Sequence, residues 1–328
     1  MTRRLRSRIF PAILTISCIG CSSQSLPTIP ITTQPNRSFY VVSARATDFS
    51  EWRVDARLMT GIARLNGDAW VVVGDGGTVM RTTDAGENWQ SVASSATAGL
   101  DDVCNDMVTG TGIAVGHAGA TIRSTDGGQS WVSSEAVTSA NLLEVSAYTG
   151  RAIAVGSTAM VRTSNGGVSW QSVPNSNNWV FRGVCMETRD RAYVVGDNGL
   201  VITTSDGGAT WTELPKPDNI AFVDVTVPAP GVIVAVGTQV SSGSGVVARS
   251  TDGGATWSTN SLFEALTNVT SLDGIVWTTS TTKIHRSEDY GATWVARVWA
   301  DPVSSISEIV GSSTDELVVT LYGSGFEH

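Results

Sequence analysis

Apolar residues occur in short runs, and these runs are separated by turns rich in glycine, asparagine and aspartate. Typical examples are the segments 69–77 (AWVVVGDGG) and 192–199 (AYVVGDNG). Short apolar runs bounded by turn residues are characteristic of β-strands. The turn glycines favour the positive φ that a tight hairpin requires. The pattern therefore predicts an all-β fold made of many short strands.

An eight-residue motif, S/T-x-D-x-G-x-x-W, recurs six times along the chain at intervals of about 40 residues. A repeat of this length with strand-like flanks is typical of the four-stranded blades of a β-propeller. Because the carboxylate of such a motif can accept backbone N–H groups across its own turn, and every copy has the same pattern, we interpret the motif as structural rather than catalytic. Its third and eighth residues are Asp84 and Trp89, Asp126 and Trp131, Asn165 and Trp170, Asp206 and Trp211, Asp252 and Trp257, and Asp289 and Trp294.

Seven similar segments, each expected to be the innermost strand of a blade, start at residues 59, 100, 142, 181, 222, 266 and 306. The last copy is followed by a single further strand, at 316–321. The missing half of that blade is found at the other end of the chain, as a strand at 38–43 and a copy of the eight-residue motif, shortened by one residue, at 47–52. Pairing the two chain ends would protect edges that are otherwise exposed. The sequence therefore predicts a seven-bladed propeller over residues 38–328 whose last blade is closed by N-terminal strands. Six blades with irregular ends is the alternative.

The N-terminal region has the pattern of an export signal. Four arginines and a short apolar run occupy residues 1–20, and the run is too short to span a bilayer. Cys21 lies where a lipoprotein signal would place the lipidated cysteine, with Cys18 as a competing site and simple cleavage as the alternative. Residues 21–37, rich in Ser, Thr and Pro, are predicted to form a linker. We expect an exported protein, either secreted or attached to the membrane through the lipid only, in the outer membrane if the host is Gram-negative.

The net charge argues against one class of partner, and the positions of the cysteines argue against a disulfide. The formal net charge is −9, and the four leader arginines make the remainder more acidic still. An acidic body repels a phosphate backbone, so nucleic acid is not expected as a partner. Cys104 and Cys185 occupy the same position in two blades that are separated by a whole blade, which argues against a disulfide.

The repeats resemble those of a known family. The eight-residue motif is the Asp-box, or bacterial neuraminidase repeat, and the longer units at 71–89, 113–131 and 193–211 resemble the photosystem II assembly and stability factor family. The resemblance implies a seven-bladed propeller that acts outside the cytoplasm as a protein-binding assembly factor. The basic surface patch of that family has no clear counterpart here, since Arg182 is the one arginine in the aligned inner strands.

Acidic residues recur at the third position of the inner strands. They are Asp102, Glu144, Asp224 and Glu308. At one level around a propeller axis they could bind a cation, a glycan or a basic peptide, or act as a glycosidase pair. The structural alternative is that they bond neighbouring backbone groups. If the side chains converge, mutual repulsion should raise the pKa of some of them.

A second candidate surface lies on the loops between and within blades. Trp179, Arg182, His117 and Asp197 are expected there, where propellers contact partners, although Trp179 could simply cap its blade. A sialidase is disfavoured because the propeller lacks a Phe/Tyr-Arg-Ile-Pro segment, and His117 and His285 lie in different blades, which disfavours a histidine metal site. We expect no cofactor, no metal and no catalysis, with a protein partner in the cell envelope. A glycan-binding protein or glycoside hydrolase is the alternative.

Overall fold

The computed structural model describes residues 40–44, 49–53, 59–65, 69–84, 86, 88–217, 219–262, 264–280, 283–298, 304–313 and 316–323. The predicted leader, the linker, Cys21 and the first two residues of the shortened motif at 47–52 lie outside these residues. Within the described part of the chain, strands are the dominant regular element, and three short 3₁₀ turns interrupt them. The predicted all-β class is confirmed.

The described strands form seven four-stranded antiparallel sheets. Sheet 1 contains β3 (Met59–Arg64), β4 (Trp70–Gly74), β5 (Thr78–Thr82) and β6 (Gln90–Ser91). Sheet 2 contains β7 (Leu100–Asp106), β8 (Thr111–Gly116), β9 (Thr121–Ser124) and β10 (Val132–Ser133). Sheet 3 contains β11 (Glu144–Tyr148), β12 (Arg151–Val155), β13 (Met160–Thr163) and β14 (Gln171–Val173). Sheet 4 contains β15 (Phe181–Met186), β16 (Ala192–Gly196), β17 (Val201–Thr204) and β18 (Thr212–Glu213).

The remaining three sheets complete the sequence of repeats. Sheet 5 contains β19 (Ile220–Ala229), β20 (Val232–Gln239), β21 (Gly245–Ser250) and β22 (Ser258–Leu262). Sheet 6 contains β23 (Leu266–Leu272), β24 (Ile275–Ser280), β25 (Lys283–Ser287) and β26 (Val295–Val298). Sheet 7 joins the two ends of the chain, and its order is β27 (Ser304–Ser313), β28 (Glu316–Gly323), β1 (Tyr40–Ala44) and β2 (Phe49–Arg53).

Sheet 7 contains the pairing of the chain ends that the sequence predicts. β1 lies antiparallel to β28, with Val42 opposite Val319, and its other edge pairs with β2. β27 contacts both β23 of sheet 6 and β3 of sheet 1, so the series of inner strands returns to its start. The termini therefore supply the backbone partners that close the last sheet.

The second strand of each of the first six sheets is the most deeply buried element. Val71, Val72 and Val73 of β4 are inaccessible to solvent, and β8, β12, β16, β20 and β24 show the same buried pattern. Because these strands are covered on both faces, they appear in the sequence as continuous apolar runs instead of alternating ones.

Apolar clusters join each sheet to its neighbour. Between sheets 1 and 2, Val71 and Val73 pack with Leu100, Val103 and Trp131, and similar clusters link sheets 2 to 3, 3 to 4, 4 to 5 and 5 to 6. Full burial of one such side chain contributes about 1.5–3 kcal/mol. The core is thus divided among the interfaces between consecutive sheets.

The sheets present two distinct edges. The turn face carries the 3₁₀ turns Asp75–Gly77, His117–Gly119 and Asp197–Gly199, together with the loops that lead into the inner strands. The backbone N–H of His117 donates to Gly99 O at 2.9 Å, which joins a turn to such a loop. The box face is the opposite edge and carries the Asp-boxes and the hairpins between first and second strands.

In the described residues, neither Cys104 nor Cys185 forms a disulfide. Burial raises the pKa of the Cys185 thiol to about 12, so that it stays protonated at neutral pH. No helix in the described residues is long and apolar enough to cross a membrane.

Candidate binding surface around the central channel

Each Asp-box closes its own turn with its own side chains. In sheet 4 the Thr204 hydroxyl donates to Asp206 Oδ1 at 2.8 Å and accepts the Gly208 N–H at 2.9 Å. The Thr210 N–H donates to Asp206 Oδ1 at 2.9 Å, and its hydroxyl donates to Oδ2 at 2.6 Å. Equivalent bonds recur in the other five boxes. The carboxylate is therefore engaged in holding the turn.

These hydrogen bonds favour the ionised form of the box carboxyls. The Thr256 hydroxyl and N–H, with the Ser250 hydroxyl, lower the pKa of Asp252 to about 2. Partial burial opposes this effect at Asp126 and Asp289, but the hydrogen bonds outweigh it and the pKa of each falls to about 2. Asn165 makes the same contacts without a charge, since its Oδ1 accepts from Thr163 Oγ1 and Ser169 N.

The box tryptophans pack at the rim of each sheet. Trp131 and Trp170 are buried, and the other four box tryptophans are partly buried. The indole N–H of Trp131, Trp257 and Trp294 donates to the carbonyl of the second box glycine position at 3.1–3.2 Å. The aromatic ring thus anchors the end of the turn to its beginning.

Two channel aspartates bridge consecutive inner strands. Asp102 of sheet 2 accepts the Val103 N–H at 2.6 Å and the Val145 N–H of sheet 3 at 2.7 Å. Asp224 of sheet 5 makes the same pair of bonds, with Val225 and with Val269 of sheet 6, both at 2.6 Å. Each aspartate follows a β-bulge in its strand, which aims its side chain at the neighbouring strand.

Glu144 brings the acidic side chains together. Its Oε1 accepts the Val184 N–H of sheet 4 at 3.2 Å. Burial, followed by repulsion from Asp224 and Asp102, raises the pKa of Glu144 well above its usual range. Burial also raises the pKa of Asp224 to about 7, although hydrogen bonds from Val269, Val225 and Glu144 oppose the increase. Because sheets 3 and 5 are not neighbours, the contact between Glu144 and Asp224 places both at the axis of the ring.

The glycines at the same level mark where the inner strands touch. A Cβ on Gly61 would lie 2.8 Å from the Cα of Asp102, and one on Gly183 would lie 2.7 Å from the Cα of Asp224. No side chain fits there without displacing backbone. The remaining predicted acid, Glu308, lies in β27 with its Cα opposite Thr320; its side chain is outside the described residues.

The channel acids do not form a metal site in the described part of the chain. No group of three or more His, Cys, Asp or Glu side chains there has the arrangement needed to hold a metal ion. A protonated Glu144 beside an ionised Asp224 can instead share one proton across the channel. The geometry supports the structural role of these acids, with backbone N–H groups as their partners.

We define the channel mouth as the surface formed by Asp101, His117, Trp179, Arg182 and Asp197. Four of these residues form two separate charged pairs. Arg182 Nε and Nη2 reach the Asp197 carboxylate at 3.1 and 3.3 Å in a bidentate contact within sheet 4. His117 Nε2 lies 3.3 Å from Asp101 Oδ1 in sheet 2, and about half of the His117 side chain is exposed. The bulge residue of an inner strand thus meets the first residue of the 3₁₀ turn in its own sheet.

Trp179 contributes an aromatic edge beside the Arg182 pair. It lies partly buried against Phe181 with ring centroids 6.4 Å apart, and Asn175 holds its backbone by two hydrogen bonds. The ring is therefore held in a fixed position while part of it stays accessible. Trp179, Arg182 and Asp197 belong to the repeat that forms sheet 4, and His117 belongs to the repeat that forms sheet 2.

One residue of the channel mouth and two acids that hold a neighbouring hairpin were missed at the sequence level. Asp101, at the second inner-strand position, is part of the channel mouth, and burial raises its pKa while His117 opposes that effect. Asp106 and Glu187 also clamp the hairpin of the following sheet. Both acids lie just after an aligned inner strand, so their position in the repeat was the available signal.

The arrangement of the sheets defines the structural class of the protein. Four-stranded antiparallel sheets arranged in a closing series form a β-propeller, and solved propellers match the chain closely in fold. One is the WD40 β-propeller domain of Doa1, with a TM-score of 0.64, 12% sequence identity, and coverage of 87% of this chain and 97% of that chain.

The more specific likeness is to photosystem assembly factors. The family model described as photosynthesis system II assembly factor YCF48 matches residues 169–326. YCF48 bound to D1 peptide has a TM-score of 0.63 at 17% identity, covering 83% of this chain and 93% of that chain. YCF48 from Cyanidioschyzon merolae has a TM-score of 0.59 at 18% identity, covering 81% and 95%. No curated protein sequence gives a significant match. The resemblance to Asp-box propellers of the YCF48 type is confirmed.

Proposed function

We propose that this chain is a non-catalytic, protein-binding propeller of the assembly-factor type, with seven blades formed by sheets 1–7. The observation that carries the proposal is the match of residues 169–326 to the YCF48 family model. A solved YCF48 structure contains a bound D1 peptide, and we infer that an extended segment of a partner protein is the class of ligand here as well.

The site chemistry supports binding over catalysis. The box carboxyls are occupied by their own turns, and Asp102 and Asp224 each hold two backbone N–H groups. A general acid and base would need access to substrate. At the channel mouth, by contrast, Arg182, Asp197 and Trp179 combine charge and an aromatic edge, which suits a polypeptide partner. We place the partner-binding surface at this mouth.

The N-terminal sequence is the basis for a proposal about where the protein acts. We propose export, with lipid attachment at Cys21 and the linker 21–37 between the anchor and the propeller, and with the outer membrane as destination in a Gram-negative host. The predicted signal segment and the Ser/Thr/Pro-rich linker support this arrangement. Metabolic labelling with a clickable fatty acid tests it: Cys21→Ala should lose the label, and retained label would contradict lipidation at this residue.

Crosslinking in the native envelope followed by mass spectrometry tests the protein-binding function. Arg182→Gln should reduce the recovered partner about tenfold or more, since it breaks the bidentate pair and removes a charge from the channel mouth. Arg189→Gln makes the same charge change at an exposed position on the box face and should leave recovery unchanged. Equal recovery with both variants would place the partner elsewhere on the propeller.

A glycan-binding protein or glycosidase remains the second candidate because Glu144 and Asp224 have raised pKa values and meet at the axis. The double variant Asp102→Asn with Asp224→Asn tests it against a glycan panel. Turnover by the wild-type protein that disappears in the double variant, while partner recovery persists, would refute the purely non-catalytic function.

A further inference from the structure

An arginine immediately precedes the Asp-box in five of the six aligned repeats. The arginines are Arg81, Arg123, Arg162, Arg249 and Arg286, and all five are partly buried. The fourth box is the exception, because Thr203 occupies that position. The motif used to find the repeat begins one residue later, so it does not include this position.

Three of these arginines join consecutive sheets in the same way. Arg81 Nε donates to Gly127 O at 2.6 Å, Arg123 Nε to Gly166 O at 2.9 Å, and Arg249 Nε to Tyr290 O at 2.8 Å. In each case the acceptor is the carbonyl of the fourth box residue in the following sheet. The box face therefore contains a recurring guanidinium site between neighbouring sheets.

Thr203 leaves that site without its internal occupant between sheets 4 and 5. The equivalent acceptor is Gly253, the fourth residue of the fifth box, and no side chain of the described residues donates to its carbonyl. A cleft of about 310 Å³ lies at this place, lined by Thr203, Gly253 and other polar residues. Since one water takes up about 30 Å³, the cleft has room for a guanidinium group and the end of its aliphatic chain.

The lining of the cleft suits a planar cation with several N–H donors. Besides Gly253, it includes the hydroxyl groups of Thr203 and Thr212 and the carboxylate of Asp252. The pKa of Asp252 is lowered to about 2, so this wall is negatively charged at neutral pH. Arg191 also lines the cleft, and its Nε lies 3.8 Å from the buried Glu187 carboxylate, which offsets its charge.

The floor of the cleft is specific to this pair of sheets. Tyr193 occupies it and is almost fully buried, and its hydroxyl donates to Glu187 Oε2 at 3.4 Å. Isoleucine stands at the equivalent positions of sheets 2 and 3, at Ile113 and Ile153. The tyrosine adds a polar atom near Gly253, which the two isoleucines lack.

We propose that this cleft binds the side chain of an arginine on a partner protein, with the guanidinium taking the position that Arg81, Arg123 and Arg249 occupy elsewhere in the ring. It donates to Gly253 O and to the surrounding hydroxyl oxygens. A guanidinium is favoured over a lysine ammonium because its fixed fork reaches several acceptors at once and it is less strongly hydrated.

This site lies on the box face and is independent of the channel mouth on the turn face. Its existence does not depend on the partner-recovery experiment, because a small probe can occupy it. If the cleft does not bind the arginine probe, the proposed protein-binding function at the channel mouth is unaffected. If the partner-recovery experiment fails, an arginine-binding cleft would still require a partner of another kind.

NMR titration of the purified protein with Nα-acetyl-arginine amide tests the proposal, with Nα-acetyl-lysine amide as the comparison ligand. The arginine probe should produce saturable shifts at Ser205 and Gly253 with a Kd in the range of about 1–10 mM, and the lysine probe should bind about tenfold more weakly. Thr203→Arg should abolish these shifts because it fills the cleft from within. Thr203→Ser keeps both the open cleft and the hydroxyl group and should retain them.

A second variant creates the site where it is normally filled. Arg123→Thr should open the equivalent cleft between sheets 2 and 3 and add arginine-dependent shifts at Gly166. Absence of saturable shifts in the wild-type protein, equal binding of the lysine probe, or unchanged binding by Thr203→Arg would each overturn the proposal. If Arg123→Thr fails to fold, the pair of Thr203 variants still decides the question.

Discussion

At the residue scale, the Asp-box illustrates how one side chain can satisfy a turn that the backbone cannot. Asp126 accepts hydrogen bonds from Ser124 Oγ, from the N–H groups of Gln129 and Ser130, and from Ser130 Oγ. An Asx-type turn of this kind replaces backbone partners that the strand ladder no longer provides. The natural Asn165 copy indicates that the oxygen acceptor matters more than the charge.

This comparison predicts the outcome of two substitutions at Asp126. Asp126→Asn should change the free energy of unfolding by less than about 1 kcal/mol, because its amide oxygen keeps the acceptor role seen at Asn165. Asp126→Ala should cost about 1–2 kcal/mol, because it removes the acceptor altogether, and solvent exposure of the turn limits the loss. Urea denaturation measures both. The exposed Glu135→Ala is the control, and equal effects of Asn and Ala at position 126 would contradict this account.

Glu144 gives a residue-scale prediction for pH. Its raised pKa means that the folded state binds this proton more tightly than the unfolded state does. The stability from the protonated group is complete below the unfolded pKa of about 4.3 and is lost as the pH rises through the folded pKa. Glu144→Gln keeps an acceptor for the Val184 N–H and removes the repulsion with Asp224.

We therefore expect Glu144→Gln to become more stable relative to wild type by about 1 kcal/mol or more between pH 5 and pH 8. Thermal or urea unfolding at both pH values measures the difference. Glu135→Gln removes an exposed carboxyl and should show no such trend. A Glu144→Gln variant whose relative stability is the same at both pH values would show that burial and the neighbouring acids do not raise the pKa of Glu144.

At the element scale, an acid at the end of an inner strand holds the hairpin of the next sheet. Asp106 in β7 accepts the N–H groups of Thr149 and Gly150, which form the tip between β11 and β12, at 2.9 and 2.6 Å. Glu187 accepts the Gly231 N–H of sheet 5 at 2.7 Å in the same manner. These contacts fix the spacing of neighbouring sheets on the box face, where the apolar core ends.

Asp106→Ala should therefore act on two sheets at once. It leaves the partly buried N–H groups of Thr149 and Gly150 without their acceptor, which should reduce the free energy of unfolding by about 1–3 kcal/mol. Hydrogen exchange should accelerate at residues 149 and 150 of sheet 3, and exchange in the 273–274 turn of sheet 6 should stay unchanged as an internal control. Acceleration confined to sheet 2 would refute a bridging role.

At the scale of the whole molecule, sheet 7 determines whether the ring is joined. Its inner strands come from the C-terminus and its outer strands from the N-terminus, with β1 in the middle of the hydrogen-bonded order. Closing the series removes two open sheet edges at the cost of ordering both chain ends. The stability of sheets 1 and 6 should therefore depend on residues far from them in sequence.

Proline at position 42 tests this dependence. Val42 lies opposite Val319 and Glu51, so Val42→Pro removes a backbone N–H from a central strand and should cost about 3 kcal/mol or more. We expect a lower melting temperature and increased proteolysis of the N-terminal segment. Thr32→Pro, in the predicted linker, is the control. An unchanged melting temperature for Val42→Pro would mean that β1 does not contribute to closure.

The repeat made most of the architecture readable from the sequence. The spacing of the boxes predicts the four-stranded unit, and the unequal number of boxes and inner strands predicts that the chain ends pair, because strand ladders are local and their hydrophobic pattern repeats. The sequence could not show whether the side chains of Glu144 and Asp224 meet. Their contact depends on how the β-bulges direct side chains toward the axis.

What the sequence determined by itself is the local unit: the turn chemistry of each Asp-box, the buried second strand and the register of the inner strands. Tertiary structure alone decided which groups from different sheets meet, namely the acids at the axis and the groups that line the cleft beside Thr203. These contacts join residues about 40 or more positions apart, and the geometry of the ring, not any local preference, sets their distances. An arginine before a box is an unremarkable residue in sequence, and its absence at Thr203 acquires meaning only once Gly253 of the next sheet lies beside it.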